Sequence, residues 1–217
     1  MAVRIDYVLK ETGTNLVRNL TLTFAAVLTV AVVLGLGSAW AAVKGLAGWG
    51  GTAGAEVAVG PWRASTLTGS TDADLYTRAR VAVGGLLALN RSETMYYVAQ
   101  TDSAGRPLRS RCTYRVAGPA PSARWWSVTA YADDLFLFDN PRKRYSLNGS
   151  QAVLDAQGQF SLVSAPVEPA GQAAVWLPTP GDRGLVFTLR LYNPAPELVR
   201  EAARLQAPRI ERVGDCA

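Results

Sequence analysis

Residues 93–131 read ETMYYVAQTDSAGRPLRSRCTYRVAGPAPSARWWSVTAY, and the period of this stretch decides the fold. Three runs alternate apolar and polar side chains: Glu93 to Gln100, Arg111 to Ala117, and Arg124 to Ala130. Turn-forming residues separate them, Asp102-Ser103-Ala104-Gly105 being the clearest group. Alternation of period two marks half-buried β-strands. In the second run Cys112, Tyr114 and Val116 share one face while Thr113 and Arg115 share the other, so the cysteine points inward. In the third, Trp125 and Trp126 point to opposite faces, which sends one into a core and leaves the other on an edge or partner surface.

The same pattern continues towards the C-terminus. Strands are expected at Arg144 to Leu147, Phe160 to Ser164, Leu185 to Tyr192 and Arg209 to Val213, with turns at Asn140-Pro141, Asn148-Gly149 and Thr179-Pro180-Gly181-Asp182. Many short strands at such spacing predict a mainly β, jelly-roll-like sandwich. Two helices flank them. Ala73 to about Leu89 reads as amphipathic, with Leu75, Ala79, Ala82 and Leu86 at helical spacing and Ser70 or Thr71 as its cap. Pro196 to about Leu205 starts with proline just inside the helix.

The region before these strands has a different character. Leu20 to Val43 is a run of 24 residues without a charge. As a helix it measures about 36 Å, against a hydrocarbon core of about 30 Å. The small-x-small pattern Ala39-Trp40-Ala41 resembles a signal-peptide cleavage site, but signal peptides have shorter apolar cores and shorter leading segments than the 19 residues found here. An uncleaved transmembrane helix is the expectation. Arg4, Lys10 and Arg18 precede the span and only Lys44 follows it closely, which sets the N-terminus in the cytoplasm. The organisation expected is a cytoplasmic segment 1–19, in which Thr12-Gly13-Thr14 breaks a short surface helix, a span 20–43, a Gly/Ala-rich tether 44–60, and an exported domain 61–217. Within the span, Ala31, Gly35 and Ala39 recur every four residues and offer a close-packing surface for a second helix.

Composition narrows the chemistry. The chain has no histidine, which excludes Ser-His and Cys-His nucleophiles and His-ligated metals within the subunit. No phosphate loop and no nucleophile elbow occurs, and no cofactor is expected. Nineteen of the 22 cations are arginine, and the net charge of +5 selects no nucleic-acid partner for an exported domain. Cys112 and Cys216 both lie in the exported part, where an oxidising compartment lets them pair; a buried thiol and a separate tail thiol are the alternative. Candidate ligand-binding residues are Asp133 and Asp134, which with Asp139 could serve cation binding or acid–base chemistry. Two cationic clusters, containing Arg109 and Arg111 and, further on, Arg142 and Arg144, suit anionic groups, and Trp125 supplies an aromatic surface. Each also reads as an ordinary solvated face.

Several blocks together resemble a known family. Tyr96-Tyr97 to Asp102 with Gly105 and Leu108, Trp125-Trp126-Ser127-Val128-Thr129-Ala130-Tyr131, Asn140-Pro141, Arg144-Tyr145-Ser146, Trp176-Leu177-Pro178 and Leu189-Arg190-Leu191-Tyr192-Asn193-Pro194 are similar to the family of domain of unknown function 1214. The resemblance spans roughly residues 60 to 213. It implies a jelly-roll-like sandwich in an exported bacterial protein, with no catalytic residues to carry over. In many relatives this domain follows a second domain of unknown function, 1254, in one chain; here the span stands in that place. The functional expectation is a membrane-tethered accessory or interaction module in the bacterial inner membrane with a periplasmic domain. Its partner would be a protein, such as a separate one of the 1254 type, docking on an apolar surface of the sandwich or around Leu75 to Leu89. A glycan or lipid-head-group binding domain, and a carboxylate-dependent hydrolase, are the alternatives.

Overall fold

A computed structural model describes residues 2–48, 56–83, 89–170, 175–214 and 216. They fall in two compact units, Met1–Gly50 and Gly51–Ala217. The first is a single helix α1, Ala2–Gly48, of 47 residues. Its stretch Leu9–Gly45 is long and apolar enough to cross a membrane, with a mean hydropathy of 2.3 in its best window. The break expected at Thr12-Gly13-Thr14 does not occur. Thr14 turns its hydroxyl back onto the carbonyl of Lys10 at 2.8 Å, and Thr21, Thr23 and Thr29 do the same on Val17, Asn19 and Ala25. Hydroxyls satisfied within the helix no longer compete with it, and one glycine costs only about 1 kcal/mol. The helix also continues through Lys44–Gly48, where a flexible tether was expected; residues 49–55 of that tether lie outside the described residues.

The second unit is built from ten strands in two sheets. The six-stranded sheet has the order β1 (Glu56–Val59), β2 (Trp62–Ser65), β3 (Thr94–Ala99), β9 (Leu185–Pro194), β5 (Ala123–Ala132), β6 (Ser146–Asn148). The four-stranded sheet has the order β10 (Arg209–Arg212), β4 (Tyr114–Pro119), β7 (Gln159–Ala165), β8 (Val175–Pro178). All pairs are antiparallel except β7 with β8. The expected strands appear, and β1, β2 and β8 are additional. Each of these three has only 4 residues; β1 is held by its hairpin partner β2, β2 also by β3, and β8 by β7.

Alternation sends one set of side chains from each sheet into a shared core. Trp126, Val128 and Ala130 of β5 and Phe187, Leu189 and Leu191 of β9 meet Tyr114 and Val116 of β4 and Phe160 and Leu162 of β7. The rings of Trp126 and Phe160 lie 4.5 Å apart across the layers. A β-sandwich is therefore present. The chain after β9 closes it: helix α3, Pro196–Arg200, and a short 3-10 turn at Ala202–Arg204 bring the Ala202 carbonyl to the buried Tyr97 hydroxyl at 2.9 Å. The indole of Trp62 donates to the Pro208 carbonyl at 2.7 Å. Two otherwise unpaired polar atoms of large core aromatics are thereby satisfied.

Helix α2, Leu75–Val83, begins two residues later than expected and is capped differently. Asp74, not Ser70 or Thr71, accepts the Thr77 backbone N–H at 2.9 Å and its hydroxyl at 3.0 Å. This draws Thr77 inward at 3% exposure and leaves Leu75 out at 81%. The stripe of Leu75 and Ala82 therefore faces solvent, while Leu86 lies outside the described residues.

Cys112 and Cys216 form a disulfide. Pairing of β10 with β4 sets Arg212 against Tyr114, and Val213 donates to the Thr113 carbonyl at 2.9 Å, so the chain end arrives beside the buried Cys112.

Candidate functional site

The outer face of the six-stranded sheet carries the polar half of the alternation. Register aligns Tyr96 with Arg190 and Ser127, Val98 with Thr188 and Thr129, and Thr94 with Tyr192 and Trp125. Residues directly opposite on neighbouring strands point to the same side, so these rows form one surface. Arg190 stands near its middle, half-buried. Its Nη1 donates to the Thr129 hydroxyl at 3.2 Å and its Nη2 to the Tyr131 hydroxyl at 2.9 Å. The guanidinium carbon lies 5.4 Å from the ring centre of Tyr131 and 6.0 Å from that of Tyr96. Beneath, Ser127, Thr129 and Thr188 are buried although they face away from the core. Beside it Trp125 meets Tyr192 edge to face at 5.1 Å.

Among the described residues no carboxylate pairs with Arg190. Burial raises the pKa of Tyr96 and the neighbouring Tyr192 adds to the rise, against the opposing pull of Arg190 and of a backbone hydrogen bond at Leu89. Tyr96 thus keeps its proton and does not neutralise the cation.

A cavity of about 320 Å³ opens beside Tyr96. Val98 and Tyr96 line it together with Arg63, Arg91, Thr68 and Glu56. Arg63 projects from β2 opposite Val98. Arg91 is tied down through its backbone N–H to Gly69 at 3.2 Å and through Nη1 to the Thr66 carbonyl at 3.4 Å. Its Nε is buried without an acceptor.

The residues singled out in the sequence are dispersed. Arg109 and Arg111 converge on Asp182, at 2.5 Å and 3.7 Å. Arg142 pairs with Glu168 at 2.6 Å and lies over the Trp176 ring at 5.7 Å, while Arg144 donates to the Trp176 carbonyl at 3.4 Å. Asp134 pairs with Arg183 and accepts the Phe136 N–H at 3.0 Å; its neighbour Asp133 packs against Gly184. That hydrogen bond with Phe136 comes first in holding the Asp134 carboxyl below its ordinary range; desolvation opposes it, and Arg183 adds to the lowering. No group of three or more acidic or cysteine residues able to hold a metal occurs among the described residues. Of the candidates, Trp125 is the one that joins the Arg190 face. Arg190 itself was missed as a site residue, although one signal was present: in Leu185 to Tyr192 it is the single charge in an apolar strand, on the same side as Thr188 and Tyr192.

Comparison with known proteins finds a family model that matches much of this face. The family described as "Protein of unknown function (DUF1214)" matches residues 93–196. The matched segment includes Tyr96, Trp125, Thr129, Tyr131, Arg190 and Tyr192, whereas Arg63 and Arg91 precede it. Among solved structures the chain is similar to the VPA0106 protein from Vibrio parahaemolyticus, with 24% identity and a TM-score of 0.55, covering 66% of this chain and 36% of that one. It also matches an uncharacterised protein from Burkholderia cenocepacia with 18% identity and a TM-score of 0.43, covering 61% and 32%. The first of these likenesses is one of fold. The chain spans about a third of the length of both structures. No curated protein matches it.

Proposed function

We propose that the protein is a membrane-tethered binding module of the bacterial cell envelope, without catalytic activity of its own, which holds its partner on the outer face of the six-stranded sheet. The observation that carries this reading is Arg190, a half-buried cation among tyrosines and buried hydroxyls with no carboxylate of the described chain upon it. A partly desolvated guanidinium gains most from an incoming acceptor, and here the rings of Trp125 and Tyr192 lie beside it to add contact area. Helix α1 supports anchoring in the inner membrane, and the cations ahead of the span support a periplasmic sandwich. The Cys112–Cys216 bond suits that compartment. In this reading a separate anchored protein of the 1254 type is a partner, with Ala31, Gly35 and Ala39 packing against its span.

A second reading, a domain for a glycan or lipid head group, is favoured by the juxtaposition of Arg190 with Trp125 and Tyr192. Affinity purification of the full chain in mild detergent tests the proposal. The wild type is expected to retain a stoichiometric partner that the Trp125→Ala/Arg190→Gln variant loses, and Gly35→Leu should weaken association where Thr21→Leu does not. Identical recovery with all variants, or a monomer without companion in light scattering, would refute it.

A further inference from the structure

The residues around Tyr96 select a class of ligand. The Arg190 guanidinium lies 6.0 Å from the Tyr96 ring centre, Arg63 and Arg91 line the cavity beside that ring, and among the described residues none of the three has a carboxylate partner. Each guanidinium is a planar fork of N–H donors that matches a carboxylate. Arg190 spends donors on Thr129 and Tyr131 and keeps others; Arg91 spends Nη1 on the Thr66 carbonyl while the residue lines the cavity. A hydrogen bond from a charged donor is about twice as strong as a neutral one, so an oxyanion gains most from the donors these guanidiniums keep.

Two further features separate one kind of anion from another. Glu56 lines the same cavity, and a carboxylate there accepts hydrogen bonds from hydroxyl groups while repelling a bare, compact anion. Tyr96 in the cavity and Trp125 further along the face offer apolar ring surface, which suits the flat C–H face of a sugar ring. Strand spacing puts the backbones of Arg63 and Arg190 about 12 Å apart, two strands across and two residues along. Resting on the reading of this sheet face as a binding surface, we propose that it binds an acidic glycan. The sugar carboxylates lie on Arg63 and Arg91 and, further along, on Arg190; Glu56 takes sugar hydroxyls, and Tyr96 and Trp125 take the ring faces. A neutral sugar would leave the guanidiniums unmatched, and inorganic phosphate would meet Glu56 and leave both aromatic surfaces unused.

Isothermal titration calorimetry on the full chain in detergent, with trigalacturonate, maltotriose and inorganic phosphate as probes, tests this. Trigalacturonate is expected to bind, maltotriose at least about tenfold more weakly, and phosphate at equal concentration not to displace it. Arg63→Gln and Arg190→Gln should each weaken trigalacturonate binding about tenfold while the thermal unfolding midpoint holds. Absence of trigalacturonate binding, equal binding of maltotriose, or displacement by phosphate overturns the proposal; the wild-type comparison decides even if a variant unfolds. If trigalacturonate fails while Trp125→Ala/Arg190→Gln still loses the co-purifying partner, the ligand class is wrong and the binding face stands. If both fail, the reading of the face falls as well.

Discussion

At the scale of single residues, the charges that matter are those the fold either satisfies or leaves open. Asp102 is the satisfied case. Its side chain is 1% exposed and accepts the backbone N–H groups of Ala104 and Arg106, both at 2.9 Å, and the Arg106 Nε at 2.8 Å. Burial alone would raise its pKa, but the hydrogen bonds from Arg106 and Ala104 outweigh burial and hold it below the ordinary value. A depressed folded pKa means that the unfolded chain takes up its proton first as pH falls. The stabilisation is therefore fully present above about pH 4 and lost as pH drops through the lower, folded value. Asp102→Asn is expected to cost about 1–3 kcal/mol near neutral pH and to flatten the acid limb of the stability curve. Urea unfolding between pH 2 and 7 checks both; a variant whose acid limb stays as steep as the wild type's would remove Asp102 from the account. Arg190 is the open case, equally legible as a cation in the sequence but given its meaning by Tyr96, Thr129 and Tyr131 from two other strands.

At the scale of elements, the two ends of the sandwich are secured by different means. The β1–β2 hairpin, turning at Gly60 with φ +59, hangs on β3 through Trp62 against Ala99 and on the indole bond to Pro208. The C-terminal strand β10 is held by β4 and by the disulfide, which closes a loop with a sequence separation of 104. Cross-linking a loop of that length contributes about 4–5 kcal/mol in the chain-entropy view. Cys216→Ser should lower stability by up to about this amount and release the end of β10, leaving β4 with an exposed edge. Denaturant midpoints, together with hydrogen exchange at Ile210 and Val116, check this; no change in either would mean that strand pairing alone holds the end. Close packing enforces the same join from the other side, since a Cβ on Gly118 would come within 2.7 Å of the Pro208 backbone. The sequence predicted β4 and β10 as separate strands, and their antiparallel contact, which brings the two cysteines together, is a property of the sheet.

At the scale of the whole molecule, a helix apolar on every side is joined to a domain whose polar half faces out. Helix α1 exposes Leu20, Phe24, Leu28, Leu34 and Leu36 to its surroundings, a surface that water does not tolerate over such a length. Protease added to spheroplasts is expected to digest the sandwich while a fragment carrying residues 20–43 stays in the membrane. Protection of the sandwich, or a mature N-terminus near Ala42, would contradict the proposed topology. The sequence by itself determined the apolar span, the strands long enough to show alternation, the inward face of Cys112 and Tyr114, and the division of labour between Trp125 and Trp126. All of these follow from periodicity along a few consecutive residues, because a strand must turn alternate side chains to opposite sides whatever it pairs with. The tertiary structure decided the rest. The strand order β1-β2-β3-β9-β5-β6 sets Arg63, Tyr96, Arg190 and Trp125 on one surface from positions far apart in the chain, while Arg109, Arg142 and Asp134 find partners in Asp182, Glu168 and Arg183. Lateral neighbours in a sheet depend on which strands pair and in what register, and that is settled by burial of the shared core rather than by any local run of residues.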